Sequence, residues 1–443
     1  MLLKGSKIIM ECLMEQKVDT IFGYPGGQIM PLYDALYDYL DRIKHILTSH
    51  EQGATHAADG YARSTGKVGV CFATSGPGAT NTVTGIATAY MDSSPLVVIT
   101  GQVPISSIGK DSFQEVQLTD VPKNLMVELG EYEPCKPADI DCCCPPEDPD
   151  VIALIAQEIN ASKKPVIYAG GGVIIAEASR ELTELAAKAR IPVITTLMSM
   201  GSFDRRNPLS LGMVGMHGQK EANMAVHHSD LIIAVGARFS DRVTGDTSRF
   251  AKGAKIIHID IDASEFGKNM RFDYCVKCDV KSALQALLPQ IEQMERTEWN
   301  QRIASWQKKK KSGGNKLNSN NIYEILNEVF GDDVIVATDV GQHQMWTAQK
   351  WPFRKPRTLI TSGGLGTMGF GLGAAIGAQI GNPDKTVLHI SGDGSFRMNL
   401  NELATVSAHN LPIITVVVKN NTLGMVRQWQ KLFFNNRYSN TQI

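Results

Sequence analysis

The stretch GDGSFRMNLNELATVSAHNLPIITVVVKNN (392–421) sets Asp393 between two glycines and ends on an asparagine pair, Asn420-Asn421. The run TVLHI (386–390) just before it is short and apolar, which predicts a strand buried on both faces. Asn399 to His409 predicts a helix that Asn410-Leu411-Pro412 ends, and Ile413 to Val418 predicts a second strand. Two parallel strands joined by a helix bring their carboxyl ends side by side, where open α/β sheets bind ligands. Asp393 and Asn420 should then face each other across a small crevice. An oxygen-only pair, one charged and one neutral, suits Mg²⁺ that shares its shell with phosphate oxygens and water. Glycines on both sides of Asp393 let backbone N–H groups approach those phosphates. The competing interpretation is a plain strand–helix–strand unit with a polar loop.

A second set of residues lies near the start of the chain. GYPGGQIMPLYDAL (23–36) is a glycine-rich turn after a strand pattern and contains Gly26 and Gly27. In SHEQGATHAADGYARSTGK (49–67), Glu51 stands at the junction of a strand and a helix. TSGPGATN (74–81) is a further turn that opens the next helix. Small residues at strand ends leave room for a ligand close to backbone. Alone, a glutamate at a helix start does no more than favour the helix dipole.

The elements that must hold these residues follow from the rest of the sequence. Its 443 residues allow two to four domains, and 43% hydrophobic with 20% charged residues fits a globular protein with sizeable cores. A formal charge of −1 gives no bulk electrostatic case for nucleic acid or an anionic membrane. No apolar run approaches the roughly 20 residues of a membrane span, and MLLKGSKIIMECLMEQKVDTIFG reads as the start of the fold, not a targeting peptide. Cys12 and Cys71 fall in apolar helix and strand patterns. Cys275 and Cys278, three apart in a predicted strand, point to opposite faces and make a poor metal pair. Cys142-Cys143-Cys144 reads as an exposed, oxidisable loop, and the setting as reducing and cytoplasmic. Loop-like stretches at 131–150 and 308–321, the second opening on a solvated lysine run, punctuate the chain. Strands are predicted within 68–75, 95–101, 165–172, 230–237 and 255–262. The alternation with helices implies three α/β domains, 1–124, 150–307 and 320–443, each with a mainly parallel sheet flanked by helices. Gly170-Gly171-Gly172 alone is a weak phosphate-loop signal.

Taken together, FGYPGG, HEQGATHAADGYAR, TSGPGATN, ITGQVP, DSFQE, GGLGTMGFG and LGMVRQWQ resemble the thiamine-diphosphate enzymes, and within them the catalytic subunits of acetolactate synthase (acetohydroxyacid synthase). The resemblance runs over most of the chain. It implies decarboxylation of pyruvate and carboligation to a second 2-ketoacid, pyruvate or 2-oxobutyrate, the first common step of branched-chain amino-acid biosynthesis. It makes Asp393 and Asn420 side-chain ligands of Mg²⁺, with the Thr422 carbonyl as a third. Gly341, Gln342, His343, Gly366, Gly394 and Ser395 would bind the diphosphate, with Gly26 and Gly27 also facing the cofactor. Met398 would prop the cofactor in its bent form, and Met368 would contact the aminopyrimidine. Glu51 would hydrogen-bond the pyrimidine N1′ and favour its imino tautomer. Phe113, Gln114, Lys123, Met425 and Trp429 would lie near substrate, Trp429 favouring 2-oxobutyrate as second ketoacid. GMVGMHGQ (212–219), GARFSDRVTG (236–245) and IIHIDIDASEFGKN (256–269) resemble FAD-binding stretches of the biosynthetic branch, with Arg238, Arg242, Asp260 and Asp262 as neighbours of a structural flavin. The resemblance further implies a homodimer or homotetramer, and a regulatory small subunit as a possible partner.

The chain departs from the family pattern in places. After Phe113-Gln114-Glu115 it passes almost at once to Asp120-Val121-Pro122-Lys123, where the family has several tens of residues, and it stops at Ile443. The first and third domains are therefore expected to be incomplete, with strand 413–418 left as an exposed edge. Ser240 stands where the family has Asp, and Gly373 where Pro is usual. Two rival functions remain at this point: another thiamine-diphosphate carboligase, such as the flavin-free catabolic synthase, and an inactive chain that binds cofactor or a regulatory subunit.

Overall fold

The computed structural model describes residues 1–116, 121–122, 126, 128–134, 146, 148–307 and 321–443. Lys123, the three-cysteine run at 142–144 and the lysine run from 308 lie outside the described residues. Two compact units form: Met1–Ile140 with Asp333–Gln344 and Ile360–Ile443, and Asp141–Asp332 with Met345–Leu359.

The first unit holds two larger sheets and a two-stranded ribbon among the described residues. One is built from β1 (Thr20–Gly23), β2 (Lys44–Leu47), β3 (Gly69–Ala73), β4 (Leu96–Gln102) and β5 (Val121–Pro122), in the order β2-β1-β3-β4-β5 with every pairing parallel. All residues of β1 and β3 are buried, which explains their unbroken apolar character. A two-stranded antiparallel ribbon pairs Leu2–Lys4 with Leu129–Glu131.

The second unit is a six-stranded parallel sheet: β6 (Pro165–Ala169), β7 (Val193–Thr195), β8 (Ser210–Met213), β9 (Leu231–Val235), β10 (Lys255–Asp260) and β11 (Tyr274–Lys277). The order β8-β7-β6-β9-β10-β11 is that of doubly wound sheets whose strand order reverses beside the first strand. Alternate residues feed two cores, with Ile167, Ile233 and Ile257 on one face and Val166, Ile232 and Ile256 on the other. Cys275 lies half-buried in β11, and Cys278 is buried just beyond it.

The first unit's other sheet has β12 (Ile335–Thr338), β13 (Leu359–Ile360), β14 (Val387–Gly392) and β15 (Ile414–Val418), in the order β13-β12-β14-β15. β14 is parallel to both neighbours, and β15 is the edge strand, as expected. The helix predicted between them is broken: a 3₁₀ turn at Leu400–Glu402 precedes Leu403–Ala408.

Two helices join the halves of this unit. α1 (Glu51–Thr65) starts where the His50 ring accepts from the Gln52 N–H, and stops at Gly66, which sits at φ +80 and donates to the Ala62 carbonyl. α2 (Phe370–Gly381) is buried over ten consecutive residues. Their contact is made by residues without bulk. A Cβ on Gly60 would overlap the backbone of Ala374, and one on Gly377 would overlap the Ala57 carbonyl. α1 packs on β1, β2 and β3 through Ala54, Ala57 and Ala58, and α2 packs on β12 and β14 through Ala374, Ala375 and Ala378.

Two imidazoles of this unit are shielded from water, His56 fully against Phe370 and His45 in part beside Tyr33. Burial lowers the His45 pKa to about 4, aided by the charge of His409. Burial also lowers that of His56 to about 4, against the opposing pull of Asp59 and Asp339.

Two measurements check these forces. Gly377→Ala should lower unfolding free energy by about 1–3 kcal/mol, since only backbone movement can admit the methyl; an unchanged urea midpoint would refute the close contact. His45 and His56 are neutral when folded and titrate near 6.5 when unfolded. Their stabilisation is complete above about pH 6.5 and is lost as pH falls towards about 4. Each contributes a slope of up to about 1.4 kcal/mol per pH unit. Urea midpoints from pH 7.5 to 5 should therefore decline, and His56→Asn should flatten the decline even if it destabilises at neutral pH.

Candidate functional site

The carboxyl ends of β12, β14 and β15 lie side by side, as expected. Gly392 pairs with Val418, so Asp393 and Asn420 follow the ends of adjacent parallel strands. The Asp393 carboxylate accepts from the Asn421 N–H at 2.7 Å, and the Asn420 amide oxygen accepts from the Thr422 N–H at 3.0 Å. Asn421 adopts φ +55, the left-handed turn that lets its N–H point back at Asp393. Thr422 is held by its hydroxyl, which donates to the Thr441 carbonyl at 2.7 Å.

Other predicted residues gather around this pair. A Cβ on Gly392 would stand 2.8 Å from the His343 ring, and one on Gly424 would overlap the Gln342 amide and lie 3.0 Å from Asn420. A Cβ on Gly394 would meet Leu423 at 2.7 Å and the Met368 methyl at 3.8 Å. Gly366 takes φ +69 with open space where a side chain would be, a cradle of bare backbone. Ser395 is buried, its hydroxyl donating to the Val340 carbonyl at 2.8 Å. Burial keeps His343 neutral, with a pKa of about 4. Met398 is exposed, its Cβ close to Gly369. Among the described residues no three His, Cys, Asp or Glu side chains cluster as a metal group. A site with one carboxylate and several oxygens fits Mg²⁺ that draws the rest of its shell from phosphate and water.

Sequence reasoning missed the carboxylate beneath this crevice. Asp339 is fully buried at the end of β12. It accepts from the N–H groups of Gly369 (2.8 Å) and Gly371 (3.1 Å), from the Ser391 hydroxyl (2.8 Å), and lies 3.2 Å from the His389 ring. Burial alone would raise its pKa, but His389, Gly371 and Ser391 outweigh it and hold the carboxyl below the usual range. The available signal was an Asp ending the run VIVATD, the same strand-end placement as Asp393.

Glu51 opens α1 and is nearly buried. Its carboxylate accepts from the Asn81 amide at 3.0 Å and lies against Gly78. Gly26 packs on Thr74, whereas Gly27 faces open space. Gln114, at φ +61, lies over Gly76, and Phe113 beside it is exposed. Asn81 also went unassigned, although it lies within the quoted TSGPGATN.

The helix α3 (Gly424–Phe433) follows Asn420 and Thr422. Met425 and Trp429 line a cavity of about 780 Å³ with Val426, Phe434 and Arg437. Lys123 falls outside the described residues.

In the second unit the flavin candidates sit at the carboxyl ends of β9 and β10. Asp260 ends β10, nearly buried, and accepts from the Asp262 N–H at 3.0 Å; burial raises its pKa. Asp262 accepts from the Ser264 N–H at 2.9 Å. The Arg238 carbonyl accepts from Asn269, and Arg242 is exposed beside Asp241. Gly170 and Gly172 serve packing: their N–H groups donate to the carbonyls of Val235 and Gly236, and a Cβ on Gly172 would stand 2.7 Å from the Gly236 Cα. This contact brings the ends of β6 and β9 together where the strand order reverses.

Comparison with known proteins decides the family. Residues 3–121 match the thiamine pyrophosphate enzyme N-terminal TPP binding domain, 152–287 the central domain, and 339–443 the C-terminal TPP binding domain. The whole chain is 44% identical to a probable acetolactate synthase large subunit of Methanocaldococcus jannaschii, covering 84% of it. It is 43% identical to the acetolactate synthase isozyme 2 large subunit of Escherichia coli, covering 87% of that protein. Over 99% of its length it is 41% identical to the mitochondrial acetolactate synthase catalytic subunit of Saccharomyces cerevisiae, covering 74% of that protein. The chain belongs to the acetolactate synthase family of thiamine-diphosphate enzymes. These alignments, 489 to 508 positions long, exceed the chain's 443 residues, so each relative carries residues with no counterpart here.

Asp393→Ala tests the crevice. It removes the carboxylate on which the Mg²⁺ assignment depends. Affinity for thiamine diphosphate in Mg²⁺ titrations should fall by more than the roughly 10–100-fold that losing a partner one shell further out costs at metal sites. Unchanged affinity would refute the assignment.

Proposed function

We propose that this chain is an acetolactate synthase, which decarboxylates pyruvate and joins the two-carbon unit to a second 2-ketoacid. Thiamine diphosphate, when bound, supplies the electron sink that decarboxylation of a 2-ketoacid requires. The observation that carries the reading is the pair of oxygen ligands at adjacent strand ends, bordered by glycines, in a chain of this family.

In this reading Asp393, Asn420 and the Thr422 carbonyl hold Mg²⁺. The N–H groups around Gly341, Gln342, His343, Gly366, Gly394 and Ser395 receive the diphosphate. Asn420 is preferred to Asn421 because the family's ligand falls on it when counted back from Leu423-Gly424-Met425-Val426. Met368 and Met398 give apolar support to the cofactor, and Gly26 and Gly27 leave it space. Glu51 shares a proton with the pyrimidine N1′, and Asn81 orients the carboxylate. Phe113 and Gln114 lie on the substrate side, Lys123 is assigned to substrate by the family resemblance alone, and Met425 with Trp429 in the α3 cavity receives the second ketoacid, Trp429 favouring 2-oxobutyrate. Arg238, Arg242, Asp260 and Asp262 hold FAD; a nearly buried carboxylate at a strand end suits a ribose hydroxyl.

The domain limits 1–124, 150–307 and 320–443 belong to the same reading. So does a homodimer or homotetramer, supported by Val83, Ile86 and Tyr90, which expose one apolar stripe on the helix Val83–Met91. Several relatives are named large subunits, which supports a regulatory small subunit as partner. No helix among the described residues is long and apolar enough to cross a membrane, and we place the protein in the cytoplasm.

Glu51→Gln is the test. A glutamine keeps a neutral hydrogen bond but cannot exchange the proton. The variant should fold and bind flavin while deuterium exchange at the cofactor's C2 position slows by about 10²–10⁴-fold. NMR after acid quench measures it. Equal rates in mutant and active wild type would remove Glu51 from this role. A wild type no faster than free cofactor would leave a binding protein.

A further inference from the structure

Glu402 is a fully buried carboxylate that none of the roles above uses. It closes the 3₁₀ turn after the metal crevice, yet its side chain reaches the other half of the unit. One oxygen accepts from the Ser49 N–H at 3.2 Å and from the Thr405 hydroxyl at 2.6 Å. The other oxygen occupies the space a Cβ on Gly53 would take and lies 3.4 Å from the Asn401 amide. The hydroxyls of Ser49 and Thr405 stand 3.3 Å apart, which closes the group.

Residues 49 and 53 flank Glu51 on either side. The Glu402 carboxyl is therefore wedged against the first turn of α1, with a hydrogen bond before Glu51 and steric contact after it. We infer that Glu402 is a positioning residue for Glu51: it fixes the entry to α1, and with it the carboxylate that must meet the pyrimidine. This inference rests on the role proposed for Glu51. Burial raises the Glu402 pKa, and the hydrogen bonds from Thr405 and Ser49, with His50 nearby, oppose the rise. An ionised group gives the Ser49 N–H a charge-assisted acceptor, stronger than any neutral one. Gly53 is required because the carboxyl fills the space beside it.

The test uses the full chain and Glu402→Gln, with Thr405→Val as a milder variant should the first fail to fold. Amide deuterium exchange of the cofactor-free protein is followed by mass spectrometry in peptides covering 47–54, with peptides from β6 and β9 as internal controls. Cofactor C2 exchange, kcat and the KM for pyruvate are measured on the same preparations. The inference expects faster amide exchange in 47–54 alone. It also expects C2 exchange and kcat to fall together towards the roughly 10²-fold that a misplacement of about 1 Å can cost, with KM unchanged. Faster amide exchange with unaltered C2 exchange would make Glu402 structural only and overturn the inference. Unaltered amide exchange in a folded variant would overturn it as well. A wild type that does not accelerate C2 exchange would instead sink the role of Glu51, and this inference with it.

Discussion

The first unit depends on how closely two helices can approach. α1 and α2 meet through Gly60, Gly377 and alanines, so that backbone touches backbone. A larger side chain at either glycine would push apart the two sheets that the helices cover. Each helix also begins beside a set of candidate functional residues: Glu51 opens α1, and Met368 with Gly369 leads into α2. The crossing therefore fixes two functional loops at once. Packing at this density leaves no room for adjustment, since small changes of volume in a filled interior are felt by every neighbour.

What the sequence revealed and what it hid differ in physical kind. Strand ends were legible, because buried parallel strands are continuous apolar runs and the polar residue that follows each must lie at a carboxyl end. Asp393 and Asn420 were singled out that way, whereas Glu51 needed the family resemblance, and β14 and β15 proved adjacent and parallel. The long helix predicted at 399–409 failed at its start, where Leu400–Glu402 tightens to a 3₁₀ turn and carries Glu402 into the interior. Nothing local distinguishes that glutamate from a solvated one. Its partner, Ser49, is hundreds of residues away in the chain. The same holds for Asp339, whose partners come from the start of α2 and from β14. The triple glycine at 170–172 was a weak signal for the opposite reason. Its composition fits a phosphate loop, but the contact it makes is with the Gly236 backbone, which only the sheet order brings near.

Buried charge ties the two halves of the first unit in both directions. From the carboxyl-terminal half, Glu402 reaches the entry of α1, where Glu51 sits. From the amino-terminal half, Arg63 near the end of α1 grips Asp59 with two hydrogen bonds of 2.7 and 2.8 Å, Asp92 with one of 3.0 Å, and the Thr361 carbonyl with one of 2.9 Å. Asp92 in turn accepts from the N–H groups of Gly363 and Gly364, at 3.0 and 2.7 Å. That loop runs directly into Gly366 and Met368.

Breaking a buried pair by removing one partner costs about 3–5 kcal/mol, whereas replacing a whole pair with apolar groups can be neutral. Stability alone is therefore a weak reason for such groups to be present. Direction is a better one. Helix packing sets the distance between the halves, but apolar attraction is non-directional and aims no particular atom. Hydrogen bonds to a fixed carboxylate do not, because they weaken steeply with angle. Each half thus supplies the charged group that aims the other half's loop. A carboxylate meant for one atom of a cofactor, and a backbone cradle meant for its phosphates, require that kind of aim.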